Sequence, residues 1–388
     1  MNYKRLLPIY LAAVIGPMGG VGVITLLPVL AGAWNIGLQW ISLTITLYMI
    51  PYIVFQLFSG SIAHIFNTRK TLLFGFSVYA LGGLLSGFSP SFETLVAARV
   101  IQGFGAAFIA PIVMALVGEM VDPKHLGRAM GLLGVVYTIG VTMGPLISGI
   151  LEVSLGWPWF FFFLMALALV IGTLYWVTST EGQEKESETR PGKILDALVL
   201  IKKSYSYSDL RFVSYAAFFL FLAYIGLMTF TADHLKVSFS LPSDQIGLIL
   251  STTGFLGIGS SFIAGILGDR LGRKPVSYAG MMIMVASILG LRAVDYTYGK
   301  YIAIFALFGT GSATAWASLN TLAVQAVPDL RKPATSVYNS FKFTGYALAP
   351  LALSFLYLPF SIPAVHWACI VCILLSLFFT SRMSRQIG

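Results

Sequence analysis

Charge is scarce in this chain. Lys, Arg, Asp and Glu make up 10% of its 388 residues while 57% are hydrophobic, so a water-soluble fold would have too little polar surface to cover itself. Its two cysteines, Cys369 and Cys372, stand as C-x-x-C inside an apolar run. Redox or zinc chemistry there would need an aqueous approach and further ligands, and small apolar filler fits better. The four histidines, at 64, 125, 234 and 366, have no metal-ligand spacing. No G-x-x-x-x-G-K-[ST], H-E-x-x-H or G-x-S-x-G pattern occurs, and no soluble domain is appended, which argues against an enzyme and against any bound cofactor or metal. What the chain does have is 29 Phe and 39 Gly, the composition of helices greasy outside and closely packed against one another. The expectation is an all-α polytopic membrane protein in a lipid bilayer.

With ~20 apolar residues needed to cross a bilayer, the chain divides into spans at 6–32, 38–63, 71–89, 93–120, 126–151 and 157–178, then 209–236, 243–268, 275–293, 298–324, 333–357 and 361–381. The first resembles a secretory signal but is too long for one and reads as an uncleaved span. If both termini are cytoplasmic, Lys236, Arg292 and Lys300 lie outside, Arg99 and Lys342 lie within spans, and the other 19 of 24 basic residues lie inside. That bias sets the orientation in a cell (inner) membrane. The net charge of +9 therefore reports topology, not nucleic-acid binding.

Residues 1–178 form one six-span half and 209–388 another, with 179–208 as a cytoplasmic linker. Glu181 to Lys193 carries seven charged residues in 13 and reads as solvated. Ile194 to Ile201 either lies along the membrane surface or leads directly into span seven. The halves repeat weakly at a spacing of 205: Gly60 on Gly265, Pro123 on Pro328, Gly140 on Gly345 and Pro145 on Pro350. Parallel repeats with a site between them are a transporter architecture.

Gly265-Ile-Leu-Gly-Asp269-Arg270-Leu-Gly272-Arg273-Lys274 resembles the G-x-L-a-D-R-x-G-R-K loop of the major facilitator superfamily. Leu95 to Ala107 resembles that superfamily's fourth-helix motif, and Gly140-x-x-x-Gly144-Pro145-x-x-Ser148-Gly149 the fifth-helix motif of its drug and proton antiporters. The resemblance covers essentially the whole chain. It implies twelve helices in two pseudo-symmetric halves, a monomer, a small-molecule substrate and protons as coupling ion. It also implies a gating role for Gly265, Asp269, Arg270, Gly272 and Arg273. Asp269 would lie near a helix N-terminus, by pseudo-symmetry that of span five, where the dipole favours a carboxylate by ~0.3–1 kcal/mol; the alternative is a solvated loop charge. The first-half copy departs from the pattern, with His64, Ile65 and Asn67 in place of Asp, Arg and Gly.

Arg99, with Gln102 a turn beyond, lies ~9 Å inside span four, placed either for coupling and substrate contact or for bonding to backbone carbonyls. Lys342 lies ~12 Å inside span eleven. It shares a face with Tyr338 and Tyr346, beside Asn339, and either serves the cavity, binding an anion or exchanging a proton, or snorkels to the surface. Ser312, Trp316 and Asn320 on span ten and Tyr48, Tyr52 and Gln56 on span two form rows that suit a pocket for amphipathic molecules or interhelical packing alike. Gly140, Gly144 and Pro145 let span five approach a neighbour and bend. None of the 15 acidic residues is mid-span. Asp233 with His234, and Glu119, are the nearest candidates for a proton carrier, with an interfacial role as the alternative. Two functions are expected from these features: a proton-coupled exporter of drug-like or amphipathic compounds, or a symporter or uniporter for a small anionic metabolite.

Overall fold

The structure is a computed structural model that describes residues 3–121, 126–179, 194–327 and 330–384. The charged linker 181–193, Pro123 and Pro328 lie outside the described residues, as do the side chains of 60–66 and of Glu119. Every regular element among the described residues is helical. The first half comprises α1 (Tyr3–Val21), α2 (Val23–Trp34), α3 (Leu38–Ile41), α4 (Leu43–Phe66), α5 (Thr68–Gly87), α6 (Phe92–Ala107), α7 (Ala110–Met120), α8 (Leu126–Leu155) and α9 (Pro158–Thr178). After α10 (Ile194–Tyr205) come α11 (Ser208–Phe239), α12 (Ser243–Leu271), α13 (Arg273–Ala293), α14 (Tyr298–Gln325) and α15 (Arg331–Ser381).

Ten helical stretches among the described residues are long and apolar enough to cross a membrane. The first three of these each combine two helices: α1 with α2, α3 with α4, and α6 with α7. Two features raise ten to twelve. α5, the third span, is 20 residues long and so ~30 Å, but Arg69, Lys70 and its glycines make it more polar than its neighbours. α15 holds the eleventh and twelfth spans in one run. The expected spans leave a break between residues 357 and 361, and one residue turns the chain there, Ser361 at φ 59° and ψ −168°. Pro359 and Pro363 bracket it, each lacking the N–H that a straight helix would use.

α10 is a separate helix, divided from α11 by a turn at Ser206 and Tyr207. Its last residue, Tyr205, stacks on Phe341 of α15 at 5.9 Å and shares a 2.8 Å hydrogen bond with the Tyr215 hydroxyl. Val199 and Leu200 are exposed, which suits a helix lying along a bilayer surface. The side of the bundle where α1 and α11 begin is termed here the α10 face.

The halves meet along α8 and α12. Gly247, Gly254 and Gly265 share one face of α12, since 7 residues are about two turns and 18 are five. A Cβ on Gly247 would lie 2.3 Å from the Pro145 carbonyl oxygen, and one on Gly254 1.8 Å from Thr142 Oγ1. Beyond Gly247, a Cβ on Gly149 would lie 2.2 Å from the Ser243 carbonyl oxygen. A Cβ on Gly265 would meet no described atom within 4 Å, and the α8 side chains that continue this register lie outside the described residues. At the second seam Thr46 Oγ1 donates to the Ala347 carbonyl at 2.7 Å, and Tyr52 packs edge-on against Phe343 at 5.1 Å, the latter at mid-depth. Among the described residues the seams are therefore in contact on the face opposite α10 and at mid-depth.

The 205-residue repeat extends into the turn chemistry. Gly272 joins α12 to α13 at φ 91°, and Asn67, its counterpart, joins α4 to α5 at φ 77°. Asn is a side chain that tolerates positive φ, and its Oδ1 caps α5 by accepting the Lys70 N–H at 3.2 Å. The departure from Gly thus preserves the turn. Two residues on, Arg69 donates to Trp176 O and Ser179 Oγ, each at 2.9 Å, while Lys274 donates to Met383 O at 2.7 Å and Ser384 O at 2.6 Å. In each half, a basic residue opening the third helix grips the end of the sixth.

Candidate functional site

The two basic residues inside the spans have opposite environments. Arg99 is fully buried and fully engaged. Its Nε donates to Thr44 O at 3.2 Å, Nη1 to Gln102 Oε1 at 2.5 Å and Nη2 to Gly19 O at 2.9 Å. Its guanidinium lies 4.1 Å from the Tyr48 ring centroid, and the Tyr48 hydroxyl donates to Gly16 O. The planar fork of Arg suits this geometry, which ties α1, α4 and α6 together through backbone acceptors.

Lys342 is 6% exposed and has no hydrogen bond or ion pair to a described residue. It does not reach a surface. Its ammonium stands among four rings: Phe343 at 4.4 Å, Trp316 at 5.3 Å, Phe221 at 5.6 Å and Tyr338 at 5.8 Å. These come from α11, α14 and α15. At about 1 kcal/mol for each ring, the cage offsets much of the several kcal/mol that an unpaired buried ion costs, but it supplies no acceptor for the three ammonium N–H groups. Such a position can accept an incoming anion or exchange a proton.

The remaining expected residues fall around these two centres. Tyr346 is buried and reaches toward Gly20 of α1, where an added Cβ would lie 3.1 Å from its hydroxyl. Tyr52 bridges from α4 to Phe343 of the cage, and Gln56, a turn further, is half-buried. Trp316 belongs to the cage, while Ser312 bonds within its own helix to Gly309 O; Asn320 and Asn339 are half-buried. The i, i+4 spacing identified Tyr338 and Lys342. It could not identify Phe221, one of 29 Phe on another helix, and Phe343 carried no signal beyond its place beside Lys342.

Asp233 is apart from the cage, near the end of α11 opposite the α10 face. It is the one buried carboxylate among the described residues and accepts a 2.7 Å hydrogen bond from Tyr357, a partner the sequence did not suggest. His234 instead turns to Ser238 Oγ at 3.0 Å.

The motif residues are positioned as follows. A Cβ on Gly140 would lie 2.6 Å from Val14 O, and one on Gly144 2.9 Å from Met18 O. The Pro145 carbonyl accepts from Thr25 and Ser148 and abuts Gly247, so this short stretch of α8 packs against α1 on one side and α12 on the other. In the 265–274 loop, Arg273 Nη1 donates to Gly265 O at 3.0 Å and Nη2 pairs with the exposed Asp269 carboxylate. Arg270 is exposed. The side chains opening α8, toward which Asp269 was expected to point, lie outside the described residues.

Comparison with known proteins agrees with this architecture. The chain is 24% identical over 344 residues to the riboflavin transporter RibZ of Clostridioides difficile, covering 77% of this chain and 75% of the relative. It is 26% identical over 363 residues to the bacillibactin exporter of Bacillus subtilis, covering 89% and 88%. The solved structure of the xylose transporter XylE from E. coli, described as partially occluded inward open, superposes with a TM-score of 0.77 at 14% identity over 98% of this chain and 97% of that one. The family model of the Major Facilitator Superfamily matches residues 9–232 and 212–386. With twelve helices, paired halves and matching turn chemistry, the chain belongs to the major facilitator superfamily.

Proposed function

We propose that this protein is a secondary active transporter that exports drug-like or amphipathic small molecules by alternating access, coupled to the proton gradient of the cell (inner) membrane. In this reading residues 1–178 and 209–388 rock as two halves, joined by a cytoplasmic linker at 179–208, and the chain works as a monomer. With both termini cytoplasmic, the α10 face is the inner one, and closure on the opposite face makes the arrangement inward-facing. The observation that carries the proposal is the seam: close backbone approach at Gly149 and Gly247, on the face opposite α10, with polar and aromatic side chains at mid-depth. The Gly140-to-Gly149 motif supports the outward direction, as does the likeness to a bacillibactin exporter. Asp233, buried against the Tyr357 hydroxyl, is the proposed proton carrier.

Dye flux in proteoliposomes tests this. The wild type is expected to move dye only with an imposed pH gradient, and Asp233→Asn to lose that dependence. Flux independent of the gradient would overturn proton coupling. A second reading, a symporter or uniporter for a small anionic metabolite, is favoured by two buried cations set against one buried carboxylate; uptake of an anion without outward dye movement would establish it instead.

A further inference from the structure

The described side chains around Lys342 offer unpaired N–H donors and no carboxylate. Trp316 Nε1 and the Tyr338 hydroxyl have no partner, and both rings border the Lys342 ammonium. Tyr338 is 1% exposed, so water does not serve it in place of a ligand. Gln56 Nε2 and Gln102 Nε2 are likewise unpartnered. Indole, amide and ammonium N–H groups can only donate. The one buried described carboxylate, Asp233, is engaged elsewhere by Tyr357. Aromatic rings border the donors: Phe221 meets Trp316 edge-on at 5.3 Å and 86°, and Phe343 meets Tyr52 at 5.1 Å and 87°.

We propose that this site binds an organic anion carrying a flat aromatic ring, its carboxylate or sulfonate beside Lys342 and its ring among Phe221, Trp316 and Phe343. A carboxylate offers acceptors only, about four lone-pair positions, which suits an ammonium, an indole N–H and a phenol O–H converging on one place. A neutral ring would leave the ammonium unpaired, and a cationic one would face a like charge. The inference rests on the transport function proposed above and names the class of substrate it carries.

Equilibrium dialysis of the purified full-length protein in detergent tests the assignment with three probes of one shape: 2-naphthoate, 2-naphthalenemethanol and 2-naphthylmethylammonium. The wild type is expected to bind the naphthoate about tenfold or more tighter than the alcohol, and the ammonium most weakly. Lys342→Gln is expected to remove that preference while leaving alcohol binding intact, which also reports on folding. Lys342→Arg retains part of the preference, and Trp316→Phe, which keeps a ring but loses the N–H, weakens naphthoate binding about threefold. Equal affinity for the three probes, or unchanged naphthoate binding in Lys342→Gln, overturns the proposal. If Lys342→Gln does not fold, the Arg and Phe variants decide by the same criterion. Binding needs no gradient, so anion-selective binding without gradient-driven flux would refute the coupling and leave the site standing.

Discussion

Arg99 and Lys342 carry the same formal charge at similar depth, and their surroundings give them different work. Arg99 holds two backbone carbonyls and a glutamine in a fork that lysine cannot reproduce. Arg99→Lys is therefore expected to cost about 2–4 kcal/mol and to depress flux of every substrate alike, seen as a lower thermal midpoint in detergent. An unchanged midpoint would refute the clamp. Lys342 variants should do the opposite, altering selectivity while leaving the fold standing. The sequence showed that both residues needed a partner or water, because a guanidinium or ammonium in a span always does. It could not show which had found one: Thr44 and Gly19 serve Arg99 through their backbone, which no residue pattern records.

Among the elements, the apolar runs gave all twelve spans, since length and hydropathy are properties of the sequence itself. The break between the last two lies at the expected start of span twelve, and a single residue takes up the turn. Serine at φ 59° and ψ −168° occupies backbone space open almost only to glycine, at about 1–3 kcal/mol. Ser361→Gly is expected to raise the thermal midpoint and Ser361→Val to lower it; the reverse order would contradict the conformation. Asn67 permits a matching test. Its φ of 77° should tolerate Asn67→Gly at little cost, while Asn67→Val should destabilise by roughly 1–2 kcal/mol. Conservation of that turn was hidden because Asn and Gly look unlike as letters yet share a backbone region.

For the whole molecule, the pairing of halves was readable from four coincidences at one offset, but the direction in which the bundle is open was not. That depends on how far α8 and α12 separate along their length, and both separated and joined forms use the same residues. The seam predicts how to shift the balance. Gly247→Val would press a branched side chain into the Pro145 carbonyl and should open the closed face. With both native cysteines replaced by Ser, a Thr46→Cys reporter at the second seam should then react with maleimide about tenfold faster, a shift of about 1.4 kcal/mol. No change in labelling rate would show that this contact does not hold the closed face.

The caged ammonium also has an electrical consequence. When the open side of a carrier switches, the membrane field falls across the other side of whatever charge is fixed at its centre, which is equivalent to moving that charge through the field. A whole elementary charge feels about 2.3 kcal/mol per 100 mV. Arg99 contributes its charge in either form, but a monoanion seated beside Lys342 cancels the ammonium. The empty centre therefore carries one positive charge more than the loaded one, so membrane potential acts more strongly on the empty return, and turnover rather than substrate affinity should vary with an imposed voltage.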